Sequence, residues 1–255
     1  MLADALGYPL KHEDSVGTII IGSVLLLASA AVWFLSGILL AVLIGIFMLP
    51  LALVPLAIVQ GYQVRVLKRT IDGDNAPPSF TQWGELLADG IKAWLIKFIY
   101  AIPLFAILAI LFFSGFLSSI SQSELAQASF GIFSIIGLLF FVGYSLLSLY
   151  LIPLGLCSFA DDGTISAAFR FSQLSEVGLN GNFAVGWLLA VFVVVIGQIF
   201  GVPLSLLIIG VTILFYTRVV EYRLFASGYR QAIAGSQSNS EPRDMESMFS
   251  ETGTE

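Results

Sequence analysis

Few residues in this chain carry chemistry, and they are scattered. His12 is the one histidine and Cys157 the one cysteine. That excludes a histidine-based triad, a multi-histidine metal site, an internal disulfide and a multi-thiolate metal site. Cys157 closes the fourth apolar stretch, where a small buried residue suits the position; acylation beside the membrane is the other reading. The pairs Asp161-Asp162 and Asp72/Asp74 hold carboxylates close enough to ligate a cation. Each pair adjoins a glycine, as Asp72-Gly73 or Asp162-Gly163, which is the pattern of a solvated turn. Gln60, Gln63 and Gln198 are the longest polar side chains within apolar stretches. Their chemistry is hydrogen bonding, either to a neighbouring helix or to a solute. Arg218, Glu221 and Arg223 end the last apolar stretch and offer an ion pair between helix neighbours. No enzyme, metal or cofactor is expected from this inventory.

These side chains are positioned by a very apolar scaffold. Of 255 residues, 58% are hydrophobic and 11% charged, with a mean hydropathy of +0.95. Soluble domains carry roughly 25% charged residues, and one core of this size cannot hide so much apolar surface. The class is an all-α polytopic membrane protein. Charge spacing counts its spans. Ser15 to Val64 has no charged side chain, Glu124 is the only charge between Phe98 and Ala160, and Val177 to Thr217 has none. A membrane-crossing helix takes about 20 residues, so each block holds two. The spacing predicts six spans, near 16–35, 38–63, 93–117, 129–157, 182–201 and 203–225. Pro50, Pro55, Pro103 and Pro153 are expected to kink three of them. Gly37-Ala41-Gly45 and Gly197-Gly201 give small faces for close helix contact. Residues 1–230 are read as one membrane domain, and the polar, Ser/Glu-rich stretch 231–255 as a disordered cytoplasmic tail.

Orientation follows from the basic residues. With six spans, all 11 Lys and Arg fall on the side of the two termini, and the opposite loops hold none. Both termini are expected to be cytoplasmic, in a multi-pass protein of the cell membrane. Ala28-Ser29-Ala30 has the form of a signal-peptide cleavage site. Asp4, Glu13 and Asp14 outweigh Lys11 ahead of it, the wrong sign for a signal sequence, so cleavage is not expected. A sequence pI near 4.7 argues against a nucleic-acid partner and against a polybasic lipid clamp.

Two loops share a design. After the second span, Asp72-Gly73 and Pro77-Pro78 make a turn, Ser79 begins a capping box with Gln82, and Phe80, Trp83, Leu87, Ile91 and Trp94 fall at helical spacing. That predicts a short amphipathic helix in the interface, with Phe80, Trp83 and Trp94 as its anchors and Arg218 and Glu221 at the same level on the last span. After the fourth span, Asp162-Gly163 is the turn and Thr164 the cap. Glu85-Leu-Leu-Ala-Asp-Gly90 and Glu176-Val-Gly-Leu-Asn-Gly181 then occupy matching places. Each is expected to be a left-handed corner between surface helix and span. Corners separated by two spans imply a parallel internal repeat, with Leu2, Leu6 and Leu10 as a degenerate third copy.

The segments ALGYPLKHEDSVGTIIIG, GYQVRVLKRTIDGDNAPPSFTQWGELLADGIKAWLIKFIYAIP and RLFASGYRQA resemble the domain-of-unknown-function family 4013, common in archaea. The G-Y…R-V-L…W-G-E-L…D-G block is its distinctive part. The resemblance implies a multi-pass membrane protein and carries no activity, cofactor or catalytic residue. The leading expectation is a non-catalytic accessory or membrane-organising protein that acts through lipid and helix contacts, with room for a protein partner or a homo-oligomer. The alternative is an uncoupled carrier or channel for a small neutral or amphipathic solute, lined by Gln60, Gln63 and Gln198. Coupled ion transport would require ionisable groups at mid-membrane, and the spans hold none there.

Overall fold

The computed structural model describes the backbone of residues 1–11, 14–40, 45–121, 123–205 and 209–251, and the side chains of these except 45–46, 126 and 236–251. Among the described residues the chain is helical: α1 (Leu2–Gly7), α2 (Ser15–Leu39), α3 (Gly45–Ile71), α4 (Trp83–Ile120), α5 (Glu124–Asp162), α6 (Phe171–Gly178), α7 (Gly181–Leu204) and α8 (Ile209–Glu251), with 3₁₀ turns at Tyr8–Leu10 and Ile165–Phe169. Five of them, α2, α3, α4, α5 and α7, are long and apolar enough to cross a membrane. The apolar start of α8 meets Arg218, Glu221 and Arg223 before it reaches that length. His12, Ala41 and residues 252–255 lie outside the described residues.

The helices run further than the expected spans. α3 continues to Ile71 instead of ending at 63, α4 begins at Trp83 instead of 93, and α5 reaches Asp162 instead of 157. Charge alone does not stop a helix; a left-handed glycine does. Gly73 at φ +88° and Gly163 at φ +82° end α3 and α5. There Asp74 N–H donates to the Arg69 carbonyl (2.8 Å) and Gly163 N–H to the Phe159 carbonyl (2.8 Å). Pro50 and Pro55 lie within α3, Pro103 within α4 and Pro153 within α5. α8 also continues beyond 231, where composition predicts the tail. Ala232 is buried there, and its carbonyl accepts from Asn180 Nδ2 (3.4 Å).

The two expected corners differ from the prediction and from each other. Glu85 to Gly90 lies inside continuous α4, so no separate interfacial helix precedes that span. Asn180 instead caps α7 in extended conformation, φ −74° and ψ 129°, with its side chain accepting from Asn182 N–H (3.0 Å). Neither Gly90 nor Gly181 is left-handed. α6 is a short separate helix before the second of these corners, as expected, and it buries Leu174. The capping box fails too: Gln82 takes φ +57°, and the helix starts after it at Trp83.

The chain forms two compact units, residues 1–94 with 154–255, and residues 95–153. In the first, α3 and α4 cross so closely that a Cβ on Gly61 would sit 1.8 Å from the Leu86 carbonyl oxygen, and one on Gly90 1.8 Å from that of Ala57. Only hydrogen fits at such a crossing, as at the small-residue faces of helices that pack without a hydrophobic drive between them. α7 and α8 repeat the device with Gly186 and Gly228, whose added Cβ atoms would meet each other's helix backbone at 2.9 and 3.0 Å. The second unit is a helical hairpin. Leu111 covers Gly137, and Tyr144 donates to the Tyr100 carbonyl (2.9 Å). Its outer surface, including Phe112, Phe113, Phe133 and Phe140, is exposed and apolar, which suits lipid.

Candidate functional site

The polar residues of the first unit gather around the stretch of α8 from Arg218 to Gln231. Arg223 is 6% exposed, and burying a guanidinium requires partners for its donors. Nη1 donates to Thr70 Oγ1 (3.0 Å) and to the Asp74 carbonyl (2.9 Å), and Nη2 to Asn75 Oδ1 (2.8 Å). Its plane lies 4.4 Å above the centroid of the Tyr8 ring, a cation–π contact. Tyr8 is wholly buried, and its hydroxyl donates to the Ala76 carbonyl (3.0 Å). Burial pushes that hydroxyl above the usual phenol range, against the opposing pull of Arg223. One arginine thus ties together the end of α3, the strap 72–76 and the N-terminal segment.

The strap 72–82 is held from below as well. Arg65 donates to the carbonyls of Ser79 (3.3 Å) and Thr81 (2.8 Å) and pairs with Glu85 (3.7 Å). Those contacts hold the backbone just before Gln82 and the Glu85 side chain just after it, and a positive φ like that of Gln82 persists only where its neighbours over-determine it. Phe80 then stacks on Tyr62 at 4.3 Å between centroids, with Phe215 at 5.7 Å from Tyr62 and Trp83 at 6.0 Å from Phe80. Phe80 is buried in protein, where the sequence places it in the headgroup layer.

The remaining candidates divide. Gln60 is buried, and its Nε2 donates to the Tyr222 hydroxyl (3.0 Å), a bond from α3 to α8. Gln63 is buried one turn further along the same helix, while Gln198 is half-buried on α7. Among the described residues no hydrogen bond joins Gln198 to the other two. Trp83 is 45% exposed and Trp94 half-buried. Arg218 and Glu221 pair at 2.8 Å, one helical turn apart. Arg223 cannot share that pair because residues two apart on a helix face different ways.

A protein-family comparison matches residues 43–209 to DUF4013, described as a protein of unknown function. The chain belongs to that family. No curated protein and no solved structure matches it. The DUF4013 match takes in the strap, the α3–α4 crossing and α7, while Tyr8 and Arg223 lie outside it. Sequence reasoning missed the Arg223 cluster because its members, Tyr8, Thr70, Asn75 and Arg223, come from three distant segments. The available signal was a single arginine placed two residues from its supposed acidic partner.

Proposed function

We propose that this DUF4013 chain is a six-span protein of the cell membrane with both termini cytoplasmic and a parallel internal repeat. In it, the first apolar part of α8 is the sixth span. Two features support the repeat: the Asp-Gly exits at 72–73 and 162–163 share a left-handed glycine, and glycine crossings recur at α3–α4 and α7–α8. Its role is non-catalytic, accessory to or organising the membrane through lipid and helix contacts. The observation that carries this reading is that Gln60 and Arg223, both buried, bond to neighbouring elements of the protein. Gln60 is bonded to Tyr222, and three Arg223 donor contacts go to Thr70, Asp74 and Asn75. A carrier would leave such groups available to its solute.

The test is reconstitution. Vesicles holding the purified protein should be no leakier to protons, sodium or small neutral solutes than empty vesicles. A solute flux that falls on Gln60→Leu substitution would replace the accessory role with that of an uncoupled carrier. A proton or sodium flux lost on Glu221→Gln substitution would replace it with a coupled transporter.

A further inference from the structure

Beside the Arg223 cluster lies a cavity of about 150 Å³ whose lining includes Asp4, Asn75, Arg223, Ser227, Arg230 and Gln231. A single water needs about 10–15 Å³ of such space, so the cavity has room for a tetrahedral oxyanion and its solvation. We propose that it is a binding site for a phosphate group.

The case rests on where the two guanidinium groups go. Arg223 and Arg230 lie seven residues apart, on one face of α8, and both reach Thr70. Arg223 Nη1 donates to its hydroxyl at 3.0 Å and Arg230 Nη1 to its carbonyl at 3.5 Å. Two cations held at one residue repel each other. Among the described residues no carboxylate forms an ion pair with either. An anion between them would relieve that repulsion. Donors remain for it: a guanidinium has five N–H groups, the bonds of Arg223 use three, and exposed Arg230 makes one long bond. The planar fork of arginine matches phosphate oxygens. Asn75 accepts from Arg223 through Oδ1, which orients its amide and leaves the NH₂ as a further donor. Ser227 and Gln231 add neutral donors.

Charge narrows the ligand class. Met1 also lines the cavity, its terminal ammonium 3.9 Å from Asp4 Oδ2, so two arginines and that ammonium against Asp4 give the lining two net positive charges. Asp4 in turn lies 4.0 Å from Lys11. That charge suits an anionic phosphate over a neutral ligand, and a phosphodiester as well as a phosphate dianion. On the six-span topology proposed above, this end of α8 lies at headgroup depth, so the phosphate group is the phosphodiester of an anionic phospholipid. That last step rests on the topology; the cavity and its charge do not.

The experiment measures thermal stability of the detergent-purified full chain against three probes: inorganic phosphate, a short-chain phosphatidylglycerol and a short-chain phosphatidylcholine. Phosphatidylglycerol should stabilise most. Arg230→Gln should weaken its apparent affinity by about tenfold or more, the loss of a charge-assisted contact, and, by removing one of two mutually repelling cations, should not lower ligand-free stability. Arg218→Gln is the control and should bind normally. Stabilisation by inorganic phosphate alone, lost in Arg230→Gln, would keep the site and assign it a soluble ligand, which overturns the headgroup step only. No stabilisation by any probe, or stabilisation that survives Arg230→Gln, would overturn the site. Neither result bears on vesicle leakage, so the accessory role stands or falls separately.

Discussion

Replacing Gly90 by alanine tests the α3–α4 crossing with the smallest possible change. The added Cβ would lie 1.8 Å from the Ala57 carbonyl oxygen and 2.7 Å from its carbon, whereas ordinary contact begins at 3.4 Å. The obstacle is backbone, so the helices must part by roughly 1.6 Å, the difference between those two oxygen distances. Overpacking costs about 1–3 kcal/mol, and a rigid carbonyl puts this site near the top of that range. Alanine's better helix propensity returns about 1 kcal/mol. The net loss is about 2 kcal/mol, which for a chain of this size lowers Tm by about 4–8 °C. Gly84, six residues earlier in α4, has nothing within 4 Å of its added Cβ. Gly84→Ala should therefore raise Tm, by up to about 4 °C. The assay is thermal unfolding of the purified protein in detergent, followed by tryptophan fluorescence. Equal shifts for the two variants, or a stabilised Gly90→Ala, would refute the crossing.

Leu86 is fully buried and Ile91 is 53% exposed, so Leu86→Ala should cost about 2–5 kcal/mol and Ile91→Ala within about 0.5 kcal/mol in the same unfolding assay. For Gln60→Leu and Tyr222→Phe, a double-mutant cycle should give a coupling of about 0.6–1.7 kcal/mol; additive effects would remove the α3–α8 bond. Tyr8→Phe should cost about 1 kcal/mol by leaving the Ala76 carbonyl without its donor. Burial raises the folded pKa of Tyr8, so its contribution is full below the ordinary phenol value near 10 and is lost as pH rises through the higher folded value. Tyr8→Phe should accordingly lose less stability than the parent as pH rises above about 10.

Helices, five of the six expected apolar spans and the two Asp-Gly exits were legible because each depends on residues adjacent in sequence. The faces of the helices were not. Along α4, Leu87, Ile91 and Trp94 form the more apolar stripe, yet Leu86, Gly90 and Ala93 are the buried ones. With lipid outside, apolarity no longer marks the inner face, and small residues mark it instead. Ile91 exposed beside Gly90 in backbone contact is that inversion in two neighbours. The same physics misplaced the corner at Gly90: a glycine there signals close approach, while left-handed conformation belongs to Gly73 and Gly163. The Arg223 cluster was hidden for a different reason. Its bonds run to Thr70 and Asn75 across sequence separations of 153 and 148 residues, which local spacing does not encode. Gln60 was found because a glutamine in an apolar helix needs a partner, and Tyr222 supplies one.

Cysteine accessibility in intact cells tests the central claim, a membrane domain with the strap and both termini on the cytoplasmic side. In a Cys157→Ala background, a cysteine is placed at Asp72, exposed after α3, or at Ser123, exposed between α4 and α5. A membrane-impermeant maleimide should label Ser123→Cys from outside and should label Asp72→Cys only after the cells are opened. Labelling of Asp72→Cys in intact cells, with Ser123→Cys protected, would contradict the account.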